Sequence, residues 1–174
     1  MKHAERITDD DVARAALEIV GQIGKEYAGR LDVLSDSDVS DADYNAAEKS
    51  LFEKERAEKA PFFVIAEALC YPAVREEWFA RFVASFGECE YRRISARQED
   101  VITRNAGRRF DKSGRVTYGA RVGDLFVRAS VHRDCGFVSV LRIDSGALER
   151  ARKLVSDRAE RISAFRAGLR TAEN

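Results

Sequence analysis

The chain has little of what metal sites, disulfide scaffolds and catalytic centres are built from. It holds two histidines and three cysteines in 174 residues. Cys70, Cys89 and Cys135 are odd in number and widely spaced, which argues against a disulfide framework and for free thiols. His132-x-x-Cys135 offers two metal ligands, but a zinc site needs about four in recognisable pairs, and His3, Cys70 and Cys89 form none. No glycine-rich phosphate loop, carboxylate pair or acidic–lysine nuclease motif is present. The expectation is therefore a protein without cofactor or metal, and more a binder than an enzyme. Long apolar runs are also missing. The longest, residues 61–66, is far too short to span a bilayer. The amino terminus, Met1-Lys2-His3-Ala4-Glu5-Arg6, has no apolar signal-peptide core. A cytoplasmic protein with no membrane partner is the expectation.

What is there is a charge asymmetry hidden by a balanced total of 30 basic and 30 acidic residues. Residues 1–90 carry 11 Lys+Arg against 20 Asp+Glu, and residues 91–174 carry 19 against 10. The basic half is almost purely arginine, 17 Arg to 2 Lys, whereas the acidic half has 6 to 5. Arginine presents a planar five-donor fork suited to carboxylate and phosphate. Such asymmetry points either to an anionic partner or to pairing between the two halves.

Periodicity predicts an α+β protein: an acidic helical region over 1–87 with about four helices, then a basic antiparallel sheet of four or five strands with a C-terminal helix over 88–174. The first helix is expected over 9–28, with Thr8 as N-cap, Asp11 at the capping-box position, a stripe of Val12, Ala16, Ile19, Ile23 and Tyr27, and a stop at Gly29. Asp36-x-Asp38-x-Ser40 has the start of a calcium loop. Position six would be Asp41 instead of Gly and position twelve Ala47 instead of Glu, so Ser40 reads better as an N-cap. A second helix over 41–59 ends before Pro61, a buried helix follows over 62–70, and an aromatic helix over 73–86 carries Trp78, Phe79, Phe82, Val83 and Phe86. Strands are expected over 90–96 and 100–106.

Residues 115–143 form a meander that can be built by hand. Gly123-Asp124 suits a two-residue turn. It pairs Val122 with Leu125, Ala120 with Val127, Tyr118 with Ala129 and Val116 with Val131 on an apolar face. The other face receives Arg121 with Phe126, Gly119 with Arg128, Thr117 with Ser130, and Arg115 with His132. A three-residue turn over 134–136, with Gly136 left-handed, would then add Phe137, Leu141 and Ile143 to the apolar face and Arg142 to the polar one. Ser139 is left as a polar intruder among apolar neighbours. The final helix, over 145–169, repeats Leu148, Val155, Ile162 and Leu169 every seven residues and is expected to cover the apolar sheet face.

The candidate site follows from this register: Arg115, Arg121, Arg128 and Arg142 with His132, Thr117 and Ser130 on one face, and Arg108, Arg109 and Lys112 from an adjacent loop. Clustered guanidiniums on a rigid sheet can track a phosphate backbone, although Phe126 is the face's one aromatic. The hairpin Arg121-Val-Gly-Asp-Leu-Phe-Val-Arg128 resembles, over about 25 residues, the central hairpin of the RelE/ParE toxin family. That resemblance implies a small sheet with flanking helices and an RNA-cleaving basic face. Leu125 and Phe126 stand where that family has an aromatic followed by Arg, and the acidic helical half has no counterpart in it. Three functions are therefore in view. The first is a non-enzymatic binding or regulatory protein, of the kind mobile elements encode, engaging nucleic acid or a nucleoprotein complex. The second is a toxin-like ribonuclease, and the third an inhibitor that grips a protein partner through its acidic helices.

Overall fold

The computed structural model describes residues 7–70, 77–105, 114–132 and 135–172. Five helices and a four-stranded antiparallel sheet follow one another as α1 (Asp9–Ser35), α2 (Asp41–Cys70), α3 (Glu77–Ala84), β1 (Cys89–Arg93), α4 (Ala96–Asn105), β2 (Arg115–Val122), β3 (Leu125–His132), β4 (Cys135–Arg142) and α5 (Ser145–Ala172). The chain divides into two units, Met1–Leu69 with Asp144–Asn174, and Cys70–Ile143. The division does not follow the charge boundary near residue 90: α3 belongs with the sheet and α5 with the first two helices.

In the helical unit, α1 begins at the expected cap. Thr8 is extended, its hydroxyl accepts the Asp11 N–H at 3.2 Å, and the Asp11 carboxylate takes the Thr8 N–H at 3.1 Å. The stripe of Val12, Ala16, Ile19, Ile23 and Tyr27 is buried as read. The helix does not stop at Gly29. A mid-helix glycine costs only about 1 kcal/mol relative to alanine, and the good helix formers after it carry the ladder on to Ser35. Ser40 caps α2 by accepting the Asp43 N–H at 3.2 Å. This helix also overrides its expected break and runs through Pro61 to Cys70. A mid-helix proline costs about 3 kcal/mol, and burying Phe62, Ile65 and Leu69 directly after it returns about 1.5–3 kcal/mol each.

Within its own unit the last helix, α5, packs along α1, with Arg158 reaching Glu18 at 2.6 Å. Ala147 and Ala151 are buried, and Arg150 lies over the Phe62 ring at 5.4 Å. In the sheet-bearing unit, α3 and α4 pack on the apolar face of the sheet. Their Phe79, Ala80, Val83 and Ile102 join Ile94, Ala120, Val127, Ala129, Val131, Val138 and Val140 in one core. Phe79 and Val83 of the aromatic stripe are thus core, with Phe79 edge-on against Tyr118 at 4.3 Å between ring centroids, whereas Trp78 is exposed.

α4 occupies the segment expected as a strand over 100–106. Its start signal is a capping box: Ser95 accepts the Gln98 N–H at 3.4 Å, and the Gln98 carbonyl oxygen takes the Ser95 N–H at 2.8 Å. The alternation of Val101 and Thr103 misled because one helical turn of mixed polarity reads like a short strand.

The sheet order is β1-β4-β3-β2. β2 and β3 pair in the register derived by hand, from Val122 opposite Leu125 to Arg115 opposite His132. β3 and β4 do not. His132 lies opposite Cys135, so the connection is two residues long instead of three. The register is shifted by three residues, and an odd shift moves every side chain to the other face. Val138 and Val140 therefore enter the core, while Phe137, Ser139 and Leu141 join the polar face. Gly136 is not a left-handed turn residue. It lies opposite Val131 on the core face, where a Cβ would come within 2.6 Å of Glu99 Cγ and 2.9 Å of Ile94 Cγ1.

Candidate functional site

The corrected register lays out the polar face row by row. Arg115, His132 and Cys135 stand side by side on β2, β3 and β4, followed by Thr117, Ser130 and Phe137 with Arg93 of β1 beyond them. The next row is Gly119, Arg128 and Ser139, and the last is Arg121, Phe126 and Leu141. Neighbouring strands lie about 4.8 Å apart, so each row places its side chains within reach of one another.

β1 adds an irregularity that the sequence did not announce. Between Cys89, opposite Val140, and Arg92, opposite Val138, two residues of β1 face the single Ser139. This is a β-bulge, and Tyr91 within it has φ of +52°, the one positive value among the described non-glycine residues. The Tyr91 N–H, turned away from the regular ladder, donates to Ser139 Oγ at 3.2 Å. Ser139 is 5% exposed. The apparent polar intruder is thus the acceptor that satisfies the bulge, and the bulge carries the exposed Tyr91 ring to the polar side.

Tyr91, Arg115, Arg128, Ser130, His132, Cys135, Phe137 and Ser139 line one pocket of about 300 Å³. Thr117 Oγ1 and Ser130 Oγ lie 3.2 Å apart beside it. Arg115 and Arg128 are separated by about 14 Å of strand, a span their long side chains can close from both ends. Cations, hydroxyls, an imidazole, a thiol and two aromatic rings therefore meet in one concavity. That set suits an anion carrying a flat ring. Among the described residues no cluster of His, Cys, Asp or Glu is arranged to hold a metal ion.

Of the residues expected at the site, the structure gathers Arg115, Arg128 and His132 in the pocket and leaves Arg121 at the far end of the same face. Arg142 is corrected. It lies opposite Leu125, away from the polar rows, and is ion-paired with Glu88 at 2.8 Å and with Asp124. Arg108, Arg109 and Lys112 lie outside the described residues. Sequence reasoning missed Tyr91, Arg93, Cys135, Phe137 and Ser139. The misplaced serine was the available signal for three of these, because a register shifted by an odd number of residues removes it from the core and brings Cys135 and Phe137 with it.

No helix among the described residues is long and apolar enough to cross a membrane. No known protein family, curated protein or solved structure matches the chain.

Proposed function

We propose that this is a non-enzymatic binding or regulatory protein of the cytoplasm that engages an anionic partner, nucleic acid or a nucleoprotein complex, through the polar face of its sheet. One observation carries the reading: Arg115 and Arg128, from neighbouring strands, line the same pocket as Ser130 and His132. Guanidiniums give phosphate two parallel charge-assisted hydrogen bonds, and a sheet holds them at fixed spacing. Charge supports the reading at longer range. Residues 70–143 carry 14 Lys+Arg, 13 of them Arg, against 9 Asp+Glu. A net positive unit within a neutral chain draws a polyanion to itself.

The test is binding to a mixed-sequence nucleic acid at low salt. Arg115→Gln with Arg128→Gln should abolish binding, with a cooperative thermal transition showing that the double variant still folds. Arg81→Gln with Arg142→Gln, which removes the same charge from two arginines that do not line the pocket, should retain it. Equal loss in both doubles, or none in either, rejects the polar face. A protein partner that survives nuclease treatment would return the acidic helices to consideration.

A ribonuclease reading draws on His132, an imidazole in the same pocket as two guanidiniums, the combination used for proton transfer at a phosphodiester. Intact RNA on a denaturing gel after prolonged incubation rejects it. Cleavage lost in His132→Ala supports it.

A further inference from the structure

We infer that the occupant of the polar face is single-stranded: an unpaired nucleotide enters the pocket with its base against Tyr91 and Phe137 and its phosphate toward Arg115 and Arg128. The inference rests on the reading of this face as a nucleic-acid site, and narrows it to strands whose bases are free to leave the stack.

Three features of the site favour a strand over a duplex. The first is width. A duplex major groove, about 12 Å across, admits a helix or a two-stranded ribbon. Four strands at about 4.8 Å spacing extend about 14 Å between outer backbones, before side chains are added. The second is shape. The cations stand around a concavity of about 300 Å³, at the small end of ligand pockets. A concavity of that size takes one nucleotide-sized group and cannot follow the convex surface of a double helix. The third is the aromatic pair. Tyr91 is 55% exposed, and Phe137 stands in the adjoining row beside Ser130. An exposed ring such as Tyr91, beside the half-buried Phe137, gains nothing from a paired base, whose faces are already stacked, whereas an unpaired base stacks on it regardless of its identity.

The bulge gives this arrangement its structural rationale. Tyr91 holds a backbone conformation that most side chains avoid, and it is kept there by a hydrogen bond to a buried serine. The result is one ring lifted out of an edge strand onto the face that also carries Arg93, Arg115 and Arg128. The hydroxyls of Thr117 and Ser130 border the same space and could serve a ribose 2′-OH as donor or acceptor.

Fluorescence anisotropy with an end-labelled, unstructured 12-nucleotide RNA, the DNA of the same sequence, and the blunt duplex of each tests this directly. Both single strands should bind at least about tenfold more tightly than either duplex. Tyr91→Leu, equally strained at positive φ, should weaken single-strand binding about tenfold and leave duplex binding unchanged, while Tyr91→Phe restores it. Thermal melting of both variants establishes that they fold. Location has its own readout in a Cys70→Ser, Cys89→Ser background: saturating RNA should slow alkylation of Cys135 by a maleimide. RNA binding more tightly than DNA assigns the hydroxyls to the ribose, and equal affinities assign recognition to base and phosphate alone; both support the inference. Duplex binding equal to or tighter than single-strand binding overturns it while the anionic-partner reading stands. Unchanged affinity in Tyr91→Leu, or Cys135 alkylated at the same rate with RNA bound, also overturns it. Failure of every nucleic acid to bind removes both.

Discussion

Ser139 and Gly136 look unremarkable in a list of strand residues, yet each is fixed by one close contact. Ser139 Oγ is the acceptor for the N–H of Tyr91. Replacing it with alanine leaves that donor facing a buried methyl group, which costs about 1–3 kcal/mol when no water replaces the partner. Ser139→Ala should therefore lower the melting temperature and also weaken nucleic-acid binding, because the bulge that presents Tyr91 loses its anchor. Ser139→Thr, which keeps the oxygen, should restore most of the binding. Loss of stability with full retention of binding would show that the bulge does not depend on this bond. At Gly136 the constraint is space. A methyl group there meets Glu99 Cγ and Ile94 Cγ1 within 3 Å, and overpacking of this kind costs about 1–3 kcal/mol. Gly136→Ala should be destabilising by that amount in urea denaturation. A neutral result would mean that α4 shifts freely away from β4.

Elements show why part of the fold was legible and part was not. The β2–β3 hairpin could be paired residue by residue because Gly123-Asp124 fixes the turn and four apolar pairs fix the face. The β3–β4 hairpin lacked that redundancy. Phe137, Leu141 and Ile143 look as apolar as Val138 and Val140, so nothing in the pattern opposed a three-residue turn over 134–136, whereas the sheet buries the valines and carries Phe137 on its polar side. Helix boundaries failed where a local breaker lost to its neighbours, at Gly29 and Pro61. The seven-residue repeat of α5 says that the helix has an apolar stripe and does not name α1 as the helix it packs along.

Gly29 still carries its local penalty. It is exposed, and a Cβ there would meet nothing within 4 Å. Gly29→Ala should stabilise the protein by about 0.5–1 kcal/mol, seen as a raised urea midpoint with unchanged slope; a fall would mean that α1 needs its glycine. At the other end of the same helix, the Thr8 hydroxyl and backbone N–H hold the Asp11 carboxyl below the ordinary carboxylate range, with Arg14 assisting. A lowered folded-state pKa means that this stabilisation is present above the unfolded value, near pH 4, and is lost as pH falls through the lowered one. Amide-exchange protection in the first turn of α1 should therefore decline only in that acid range. In Asp11→Asn it should show no such titration.

At the scale of the whole molecule, a chain with no net charge is not an obvious polyanion binder, and its average hides a division between a positive sheet-bearing unit and a negative helical one. The sequence showed the asymmetry but placed its boundary near residue 90. By structural unit, the basic contribution of α5 goes with the acidic helices, and what remains around the sheet is almost entirely arginine. The consequence is quantitative. Each phosphate neutralised on a single strand releases counterions, and log K falls with log salt by about 0.7 per contact. If Arg115 and Arg128 each neutralise one phosphate, the double Gln variant should bind with a slope shallower by about 1.4, and the gap between wild type and variant should close as salt rises. Arg142, which stands opposite Leu125 and away from the polar rows, should change the slope by almost nothing when replaced by Gln. Titrations from about 50 to 300 mM salt separate the cases. Parallel lines for wild type and the double variant would mean that the two arginines shape the pocket without meeting phosphate, and a slope change in Arg142→Gln would move the contact surface to the far end of the sheet.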